Sequence, residues 1–283
     1  MESNTEITIE YYDNGNIECE YYLLNDKYHR ENYPARTDYY ENGNIRGKLY
    51  LTHGAFHRKD GAAITYYYEN GNIKFKKYFV DDKLHKTDGP AVIQYYENGN
   101  IQIKKYYIND KYHKTDGAAH IEYYENGNIQ MERYFIDDQL YRKDAPAVIY
   151  YYSSGNVKIE RYYKDCKYHR QNGPAYIVYD DNGKIKFEQY CIDGNCHRED
   201  GPAYVEYYKD GSIKVQKYYI NGDKIQLEQY SNINYKQIIK CITQYNDIKD
   251  LLILKLITNI KFTNQKEELL ELIDSKITIL QLI

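Results

Sequence analysis

Eight glycines recur at an interval of 28 residues with no insertion between them, and this period constrains the fold more than any other feature. They are Gly15, Gly43, Gly71, Gly99, Gly127, Gly155, Gly183 and Gly211. One tyrosine column keeps the same register from Tyr11 to Tyr207, and a second runs from Tyr22 to Tyr218. All five prolines also share one column. The pattern predicts a repeat array in which each copy is one small unit that stacks on its neighbours.

Each copy reads as a β-hairpin. In the fourth copy, residues 91–97 and 101–108 are rich in β-branched and aromatic side chains, and they flank Asn98-Gly99-Asn100. Asn-Gly between two such runs is a strong hairpin signal, because the glycine accepts the positive φ of a tight turn. The chain then returns through His-x-x-Asp-Gly-Pro-Ala, which is turn chemistry as well. We therefore expect about two strands per copy.

The fold class that follows is mainly β: an elongated antiparallel β-meander of eight 28-residue hairpin repeats, with a small C-terminal α-helical segment. Equivalent residues of successive copies should lie about 9.6 Å apart, because neighbouring strands are about 4.8 Å apart. A thin sheet also accounts for 39 tyrosines in 283 residues, since a tyrosine covers backbone while its hydroxyl faces water. By alternation, Ile101 and Ile103 should lie on the drier face.

The predicted domains are a repeat array over residues 1–224 and a helical cap or docking module over residues 225–283. Apolar residues at helical spacing predict three helices in this tail, around residues 238–242, 248–260 and 269–280. Asn246-Asp247 is a start signal for the second helix, and Asn264 with Glu267 resembles a capping box for the third. The tail either covers the last hairpin or docks a partner, for which the candidate residues are Leu269, Ile273 and Leu280.

Composition and spacing argue against several function classes. The net charge of −4 does not favour nucleic acid as a partner. A histidine column at 28-residue spacing cannot converge on one metal ion, because ligands on successive copies are too far apart. Cys191, Cys196 and His197 are three potential metal ligands, but two cysteines separated by four residues, without a second pair, are weak evidence for a metal site. No nucleophile elbow or phosphate loop is present, and equivalent acids in every copy make no single catalytic site. We expect no enzyme activity, no cofactor and no metal.

A basic column and a tyrosine column together form the candidate partner surface. The basic column is broken by Gln189, and either contacts a partner or is a solvated strand face. The main hypothesis is a scaffold or adaptor for protein partners. The alternative is a binding array for phospholipid headgroups or glycans, and homo-oligomerisation is left open. The candidate residues are Lys77, Lys105, Arg133 and Arg161 in the basic column, and Tyr78, Tyr106, Tyr134 and Tyr162 in the tyrosine column.

The N-terminal residues carry no secretory signal, and five irregularly spaced cysteines are typical of a reducing compartment. These features predict a cytoplasmic protein.

Residues 67–73, 95–101 and 197–203, with the pattern Tyr-Tyr-Glu-Asn-Gly-Asn-Ile or His-Arg-x-Asp-Gly-Pro-Ala, resemble MORN-type hairpin repeats. Such repeats are found in large numbers in giant DNA viruses of amoebae, and bacterial antitoxin-like hairpin-repeat proteins are more weakly similar. The resemblance covers residues 7–224. It implies a non-enzymatic scaffold or adaptor, located in the host-cell cytoplasm or the virion if the protein is viral.

Overall fold

The computed structural model describes residues 5–226, 229, 233–262 and 266–282. The chain divides into two compact units, one comprising Met1–Arg142 with Ala147–Asn156 and the other Lys143–Pro146 with Val157–Ile283. The sequence predicts a different division, between a repeat array and a helical tail after residue 224, and that boundary stays a prediction.

The first unit is an antiparallel β-meander. Its longer strands pair in chain order, β1–β2–β4–β5–β8–β9–β12–β13–β16–β17–β20. The short strand β3 pairs with the end of β2, and the other two-residue strands pair as separate minor hairpins. The strands are β1 (Thr5–Tyr11), β2 (Ile17–Leu24), β3 (Lys27–Tyr28), β4 (Arg36–Tyr39), β5 (Ile45–Leu49), β6 (Leu51–Thr52), β7 (Ala55–Phe56), β8 (Ile64–Tyr67), β9 (Ile73–Lys77), β10 (Phe79–Val80), β11 (Lys83–Leu84), β12 (Val92–Tyr95), β13 (Ile101–Lys105), β14 (Tyr107–Ile108), β15 (Lys111–Tyr112), β16 (His120–Tyr123), β17 (Ile129–Arg133), β18 (Phe135–Ile136), β19 (Gln139–Leu140) and β20 (Val148–Tyr151).

The second unit continues the same 28-residue pattern and ends in helices. Its longer strands pair as β21–β24–β25–β28–β29–β30, again antiparallel. The predicted fold class, mainly β with an antiparallel meander and a helical C-terminal segment, is confirmed. The elements are β21 (Val157–Arg161), β22 (Tyr163–Lys164), β23 (Lys167–Tyr168), β24 (Tyr176–Tyr179), β25 (Ile185–Gln189), β26 (Cys191–Ile192), β27 (Asn195–Cys196), β28 (Tyr204–Tyr207), β29 (Ile213–Ile220), β30 (Asp223–Ile225), α1 (Tyr235–Gln244), α2 (Ile248–Lys261) and α3 (Lys266–Gln281).

The predicted Asn-Gly turns are present, and each contains a glycine with positive φ. In the third copy, Gly71 has φ +87°, and its amide donates to the carbonyl of Tyr68 at 2.9 Å. The Tyr68 amide in turn donates to the carbonyl of Asn72 at 2.8 Å. The Asn70 side chain accepts from the Asn72 amide at 2.9 Å. The turn is thus closed by backbone and side chain together, which explains why Asn-Gly-Asn recurs.

Each copy also contains a second, shorter hairpin that the sequence analysis did not predict. In the fourth copy, β14 and β15 pair across Asn109 and Asp110, which have φ +50° and +66°. Two consecutive residues with positive φ are typical of a type I′ turn, which favours Asn, Asp and Gly. That signal was present in the sequence, but His53 and Cys166 also adopt positive φ at this turn in other copies and obscure it. The meander has the two strands per copy that the sequence predicts, and the minor hairpin adds two short strands to them.

The alanine column lies at fully buried positions just before the first strand of each copy. Each of these alanines is fully buried, and each carbonyl accepts a hydrogen bond from a tyrosine amide of the preceding strand. A larger side chain would have to displace backbone, so the position selects alanine. The residues are Ala35, Ala63, Ala91, Ala119, Ala147, Ala175 and Ala203.

The three predicted helices are present in the second unit, and they pack on its last hairpin. Ile220 and Ile225 of that hairpin share one buried cluster with Leu251 and other residues of the helices. Helix α1 begins with a capping box between Asn234 and Gln237. Helix α2 begins at the predicted Asp247, which accepts from the Lys249 amide at 2.7 Å. The predicted cap at Asn264 lies outside the described residues.

None of the described helices has both the length and the apolar character needed to cross a lipid bilayer.

Candidate partner-binding surface

The two halves of the candidate surface lie on opposite sides of the sheet. Lys77 lies over the ring of Phe75, two residues earlier in the same strand, at 5.5 Å. The next residue, Tyr78, is instead covered by Lys86 from the following loop, at 4.2 Å. Successive strand residues point to opposite faces, so the basic and tyrosine columns cannot contact one flat partner together. The basic column shares its face with Ile101 and Ile103. Binding of a partner by either column stays a prediction.

The tyrosine column is capped by a row of cations that sequence reasoning missed. In each pair the guanidinium carbon or ammonium nitrogen lies 3.7–4.9 Å from the ring centroid. Such a contact stabilises by about 0.5–2 kcal/mol, depending on exposure. The signal available in the sequence was a basic residue directly after the histidine-column position in seven of the eight copies. The pairs are Arg30–Tyr22, Arg58–Tyr50, Lys86–Tyr78, Lys114–Tyr106, Arg142–Tyr134, Arg170–Tyr162 and Arg198–Tyr190.

Burial adds to this capping. Tyr162 is 9% exposed, and burial, followed by the nearby Glu132 carboxylate, raises the pKa of Tyr134. These rings offer an edge to a partner more readily than a face.

Equivalent clefts recur between consecutive loops, and the tyrosine column lines them. One cleft in the first unit, about 470 Å³ in volume, lies between loops 86–89 and 113–116 and includes Tyr106. The preceding copy has its counterpart between loops 58–61 and 85–88, with Tyr78. In the second unit, loops 170–173 and 197–200 enclose a third cleft with Tyr190. The same surface shape is therefore offered at a regular interval.

The rim of these clefts carries exposed carboxylates. The side chains of Asp88 and Asp116 are each 83% exposed. The adjacent cations are already engaged, because Lys86 lies both over Tyr78 and 3.8 Å from Asp88. In the second unit, Arg198 pairs with Asp200 at 2.6 Å. In each of these ion pairs the carboxylate is the more exposed member.

The basic column has a different environment. Lys105 and Arg133 stand opposite His120 in the strand register. Burial, and then the charges of these two cations, lowers the pKa of His120 to about 4, so the ring is neutral at pH 7. Within the described part of the chain, no acidic side chain lies within 4 Å of the cationic groups of Lys77, Lys105 or Arg133. These three cations are available to an anion.

The histidine column has a structural role in the loops. The Nδ1 atom of His85 accepts from the amide of Asn109, in the type I′ turn of the next copy, at 3.3 Å. His57 does the same for Asp81 at 3.3 Å. Across the described residues, no group of three or more His, Cys, Asp or Glu side chains is arranged to hold a metal ion.

The candidate docking residues of the tail pack inside the second unit. Leu269 and Ile273 are fully buried, and Leu280 packs against the same cluster. The exposed apolar side chains of α3 are Leu272 and Ile279, at 43% and 55%. The structure thus gives the three candidates a packing role, and their docking role stays a prediction.

Comparison with known proteins agrees with the repeat geometry. Four tandem segments, residues 63–81, 91–109, 119–137 and 147–165, match the family model described as a MORN repeat variant. No curated protein matches the chain. Every matched segment begins at a buried alanine, contains one Asn-Gly or Ser-Gly turn, and ends in a type I′ turn. Residues 63–165 thus contain four MORN-type β-hairpin repeats in tandem.

Proposed function

We propose that this chain is a non-enzymatic scaffold that binds an extended segment of a partner protein along its row of loops. MORN-type repeats in a β-meander suggest a scaffold or binding role in general. We further propose that the clefts between the loops are the binding surface and that the partner segment is basic.

The observation that carries the proposal is the recurrence of the clefts. Two consecutive copies of the first unit and one pair of loops in the second unit offer the same tyrosine-lined hollow with an acidic rim. A repeated site gains affinity from many modest contacts. Catalysis, in contrast, requires one differentiated site.

The spacing and the charge define the partner. Equivalent positions of adjacent copies are about 9.6 Å apart, and an extended chain advances about 3.1–3.4 Å per residue. One side chain in three would therefore meet successive clefts. Because Asp88 and Asp116 dominate the rim, a partner with a basic residue at every third position fits best.

Synthetic peptides test this proposal directly. Immobilised peptides with lysine at every second, third or fourth position among alanines, equal in lysine number, are exposed to the full chain. We expect the tightest binding at every third position. The variant Asp88→Asn with Asp116→Asn should bind about tenfold more weakly, since two charge contacts of about 0.7 kcal/mol each are lost.

The matched control removes two acids from the opposite ends of the strands. Asp13→Asn with Glu97→Gln changes the net charge by the same amount as the loop variant, but at the Asn-Gly turns. Because these turns lie away from the loops, this variant should leave binding unchanged. Equal binding at all three spacings, or equal losses in both variants, would refute the loop row as the binding surface.

The second candidate function is binding of anionic phospholipid headgroups or glycans, and the free cations beside His120 favour it. Here the full chain should sediment with vesicles that contain phosphatidylserine and not with neutral ones. The variant Lys105→Gln with Arg133→Gln should lose this binding. The variant Asp88→Asn with Asp116→Asn should sediment with these vesicles as the unmodified chain does. Absence of sedimentation with phosphatidylserine vesicles removes this alternative for lipids.

A further inference from the structure

The minor hairpin of the seventh copy differs chemically from its counterparts. Cys191 of β26 and Cys196 of β27 face each other across the strands. In the first six copies, both facing positions hold large apolar or aromatic side chains, and in the eighth copy Tyr219 faces Lys224. In the sixth copy, for example, Tyr163 and Tyr168 stack at 4.9 Å. The six apolar or aromatic pairs are Leu23–Tyr28, Leu51–Phe56, Phe79–Leu84, Tyr107–Tyr112, Phe135–Leu140 and Tyr163–Tyr168.

The backbone brings these two cysteines as close as antiparallel neighbours come. The carbonyl of Cys191 accepts from the Arg170 amide at 3.1 Å, and that of Cys196 accepts from the Gly222 amide at 2.8 Å. Both carbonyls therefore point away from the hairpin, which makes the two cysteines a non-hydrogen-bonded pair. Such pairs have Cα atoms about 4.5 Å apart, within the roughly 4.4–6.8 Å range that a disulfide requires.

The two thiols are also unequal. Cys191 is 2% exposed, whereas Cys196 is half-buried and its sulfur accepts from Nε2 of Gln189 at 2.8 Å. The hydrogen bond from the Cys191 thiol, and then that from Gln189, lowers the pKa of Cys196. The same thiol contact, with burial, raises the pKa of Cys191. A thiolate is the nucleophile in thiol chemistry, so Cys196 is the attacking residue and Cys191 the resolving one.

We propose that Cys191 and Cys196 form a reversible disulfide by exchange with a low-molecular-mass disulfide of the glutathione type. The Cys196 thiolate attacks one sulfur of the oxidant, forms a mixed disulfide and releases one small thiolate. Cys191 then loses its proton to solvent and attacks the Cys196 sulfur, releasing the second small thiolate. Two protein thiols are oxidised and one small disulfide is reduced to two thiols, so atoms and electrons balance.

This site lies beside the junction between the hairpins and the helices. Cys196 is followed by His197 and by Glu199, whose carboxylate binds Lys255 of α2 at 2.7 Å. Oxidation would join the two strands of the minor hairpin next to that contact by a disulfide. In the other described minor hairpins the facing residues are not cysteines.

The test uses the full chain in buffers of increasing oxidised-to-reduced glutathione ratio. After alkylation of free thiols, peptide mass spectrometry should show that the segment containing Cys191 and Cys196 loses two hydrogens and resists alkylation. Cys19 and Cys241 should remain alkylated. Exposed Cys166 is the internal control, because it has no facing thiol and should only gain glutathione.

Two variants separate the roles of the cysteines. Cys191→Ser should stop at a stable glutathione adduct on Cys196, whereas Cys196→Ser should react at least about tenfold more slowly because the remaining thiol is buried. The variant Cys191→Tyr with Cys196→Tyr restores the pair found in the sixth copy, and it should fold and show no internal disulfide. Persistent glutathione on Cys196 of the unmodified chain, with Cys191 still alkylated, would overturn the proposal, as would absence of any reaction there.

Discussion

Glu199 links the last loops to the helices, and replacing it with glutamine should weaken the second unit in a pH-dependent way. One carboxylate oxygen lies 3.4 Å from Nε2 of His197, and the other lies 2.7 Å from Nζ of Lys255. Lys255 also contacts Asp274 of α3 at 2.7 Å. The hydrogen bond from His197, followed by that from Lys255 and against the opposing effect of burial, lowers the pKa of Glu199 to about 2. The substitution Glu199→Gln keeps the shape and removes the charge.

The size of the effect follows from linkage. A pKa of about 2 instead of 4.5 corresponds to about 3 kcal/mol in favour of the folded state. The Glu199 side chain is 32% exposed, and solvent screening reduces the expected contribution to about 1.5 kcal/mol. Since the pKa is lower in the folded chain, this stability is complete above pH 4.5 and disappears as the pH falls towards 2.

Urea unfolding followed by helical circular dichroism measures the difference. We expect Glu199→Gln to be less stable than the unmodified chain by about 1.5 kcal/mol at pH 7, with a gap that shrinks between pH 4.5 and pH 2. Glu31→Gln is the matched control, because Glu31 occupies the same loop position in the first copy and is exposed. Equal stability of Glu199→Gln and the unmodified chain at pH 7, or a gap that persists in acid, would show that the ion pair does not hold the helices.

Three further outcomes are expected. Tyr96→Phe removes a hydroxyl hydrogen bond to a carbonyl of the next copy at 2.7 Å, and should cost about 1 kcal/mol in urea unfolding. Gly99→Val should cost about 1–2 kcal/mol through φ +91° alone, since an added Cβ meets no atom within 4 Å; unchanged unfolding would contradict the turn assignment. His120 should titrate by NMR near pH 4, and its neutral form should stabilise the fold above pH 6.5 and progressively less as the pH falls towards 4. A midpoint near 6.5 would contradict burial between Lys105 and Arg133.

Local chemistry in the sequence was enough to predict much of the fold. The Asn-Gly turns and the start of α2 at Asp247 each depend on a few adjacent residues, and both are confirmed. A drier face at Ile101 and Ile103 is not seen, because all five residues of β13 are half-buried. The minor hairpins depend on local residues too, but Asp81-Asp82 and Asn109-Asp110 do not form the usual Asn-Gly pair. Their positive φ values come from polar side chains that tolerate that conformation.

Contacts between distant residues could not be predicted. The cation above each tyrosine ring depends on how a loop folds back over a strand. The recurring basic residue marks a conserved spacing in the repeats, but that spacing alone does not place Lys86 over Tyr78. The link from Glu199 to Lys255 spans a helix boundary and depends on how α2 packs. The basic and tyrosine columns lie on opposite faces of the sheet because of strand geometry alone. Lys105 and Tyr106 are adjacent in sequence, and adjacent residues in a strand point apart.

At the edge of the sheet that holds the Asn-Gly turns, one recurring bond between neighbouring copies ends on a backbone atom. The hydroxyl of Tyr68, for instance, donates to the main-chain carbonyl of Tyr95 at 2.8 Å. A carbonyl is present whatever side chain the residue carries, so the junction does not depend on the identity of its acceptor. A gene segment encoding 28 residues can therefore be duplicated or lost while this tyrosine bond forms again at the new junction, which favours variation in the length of such an array.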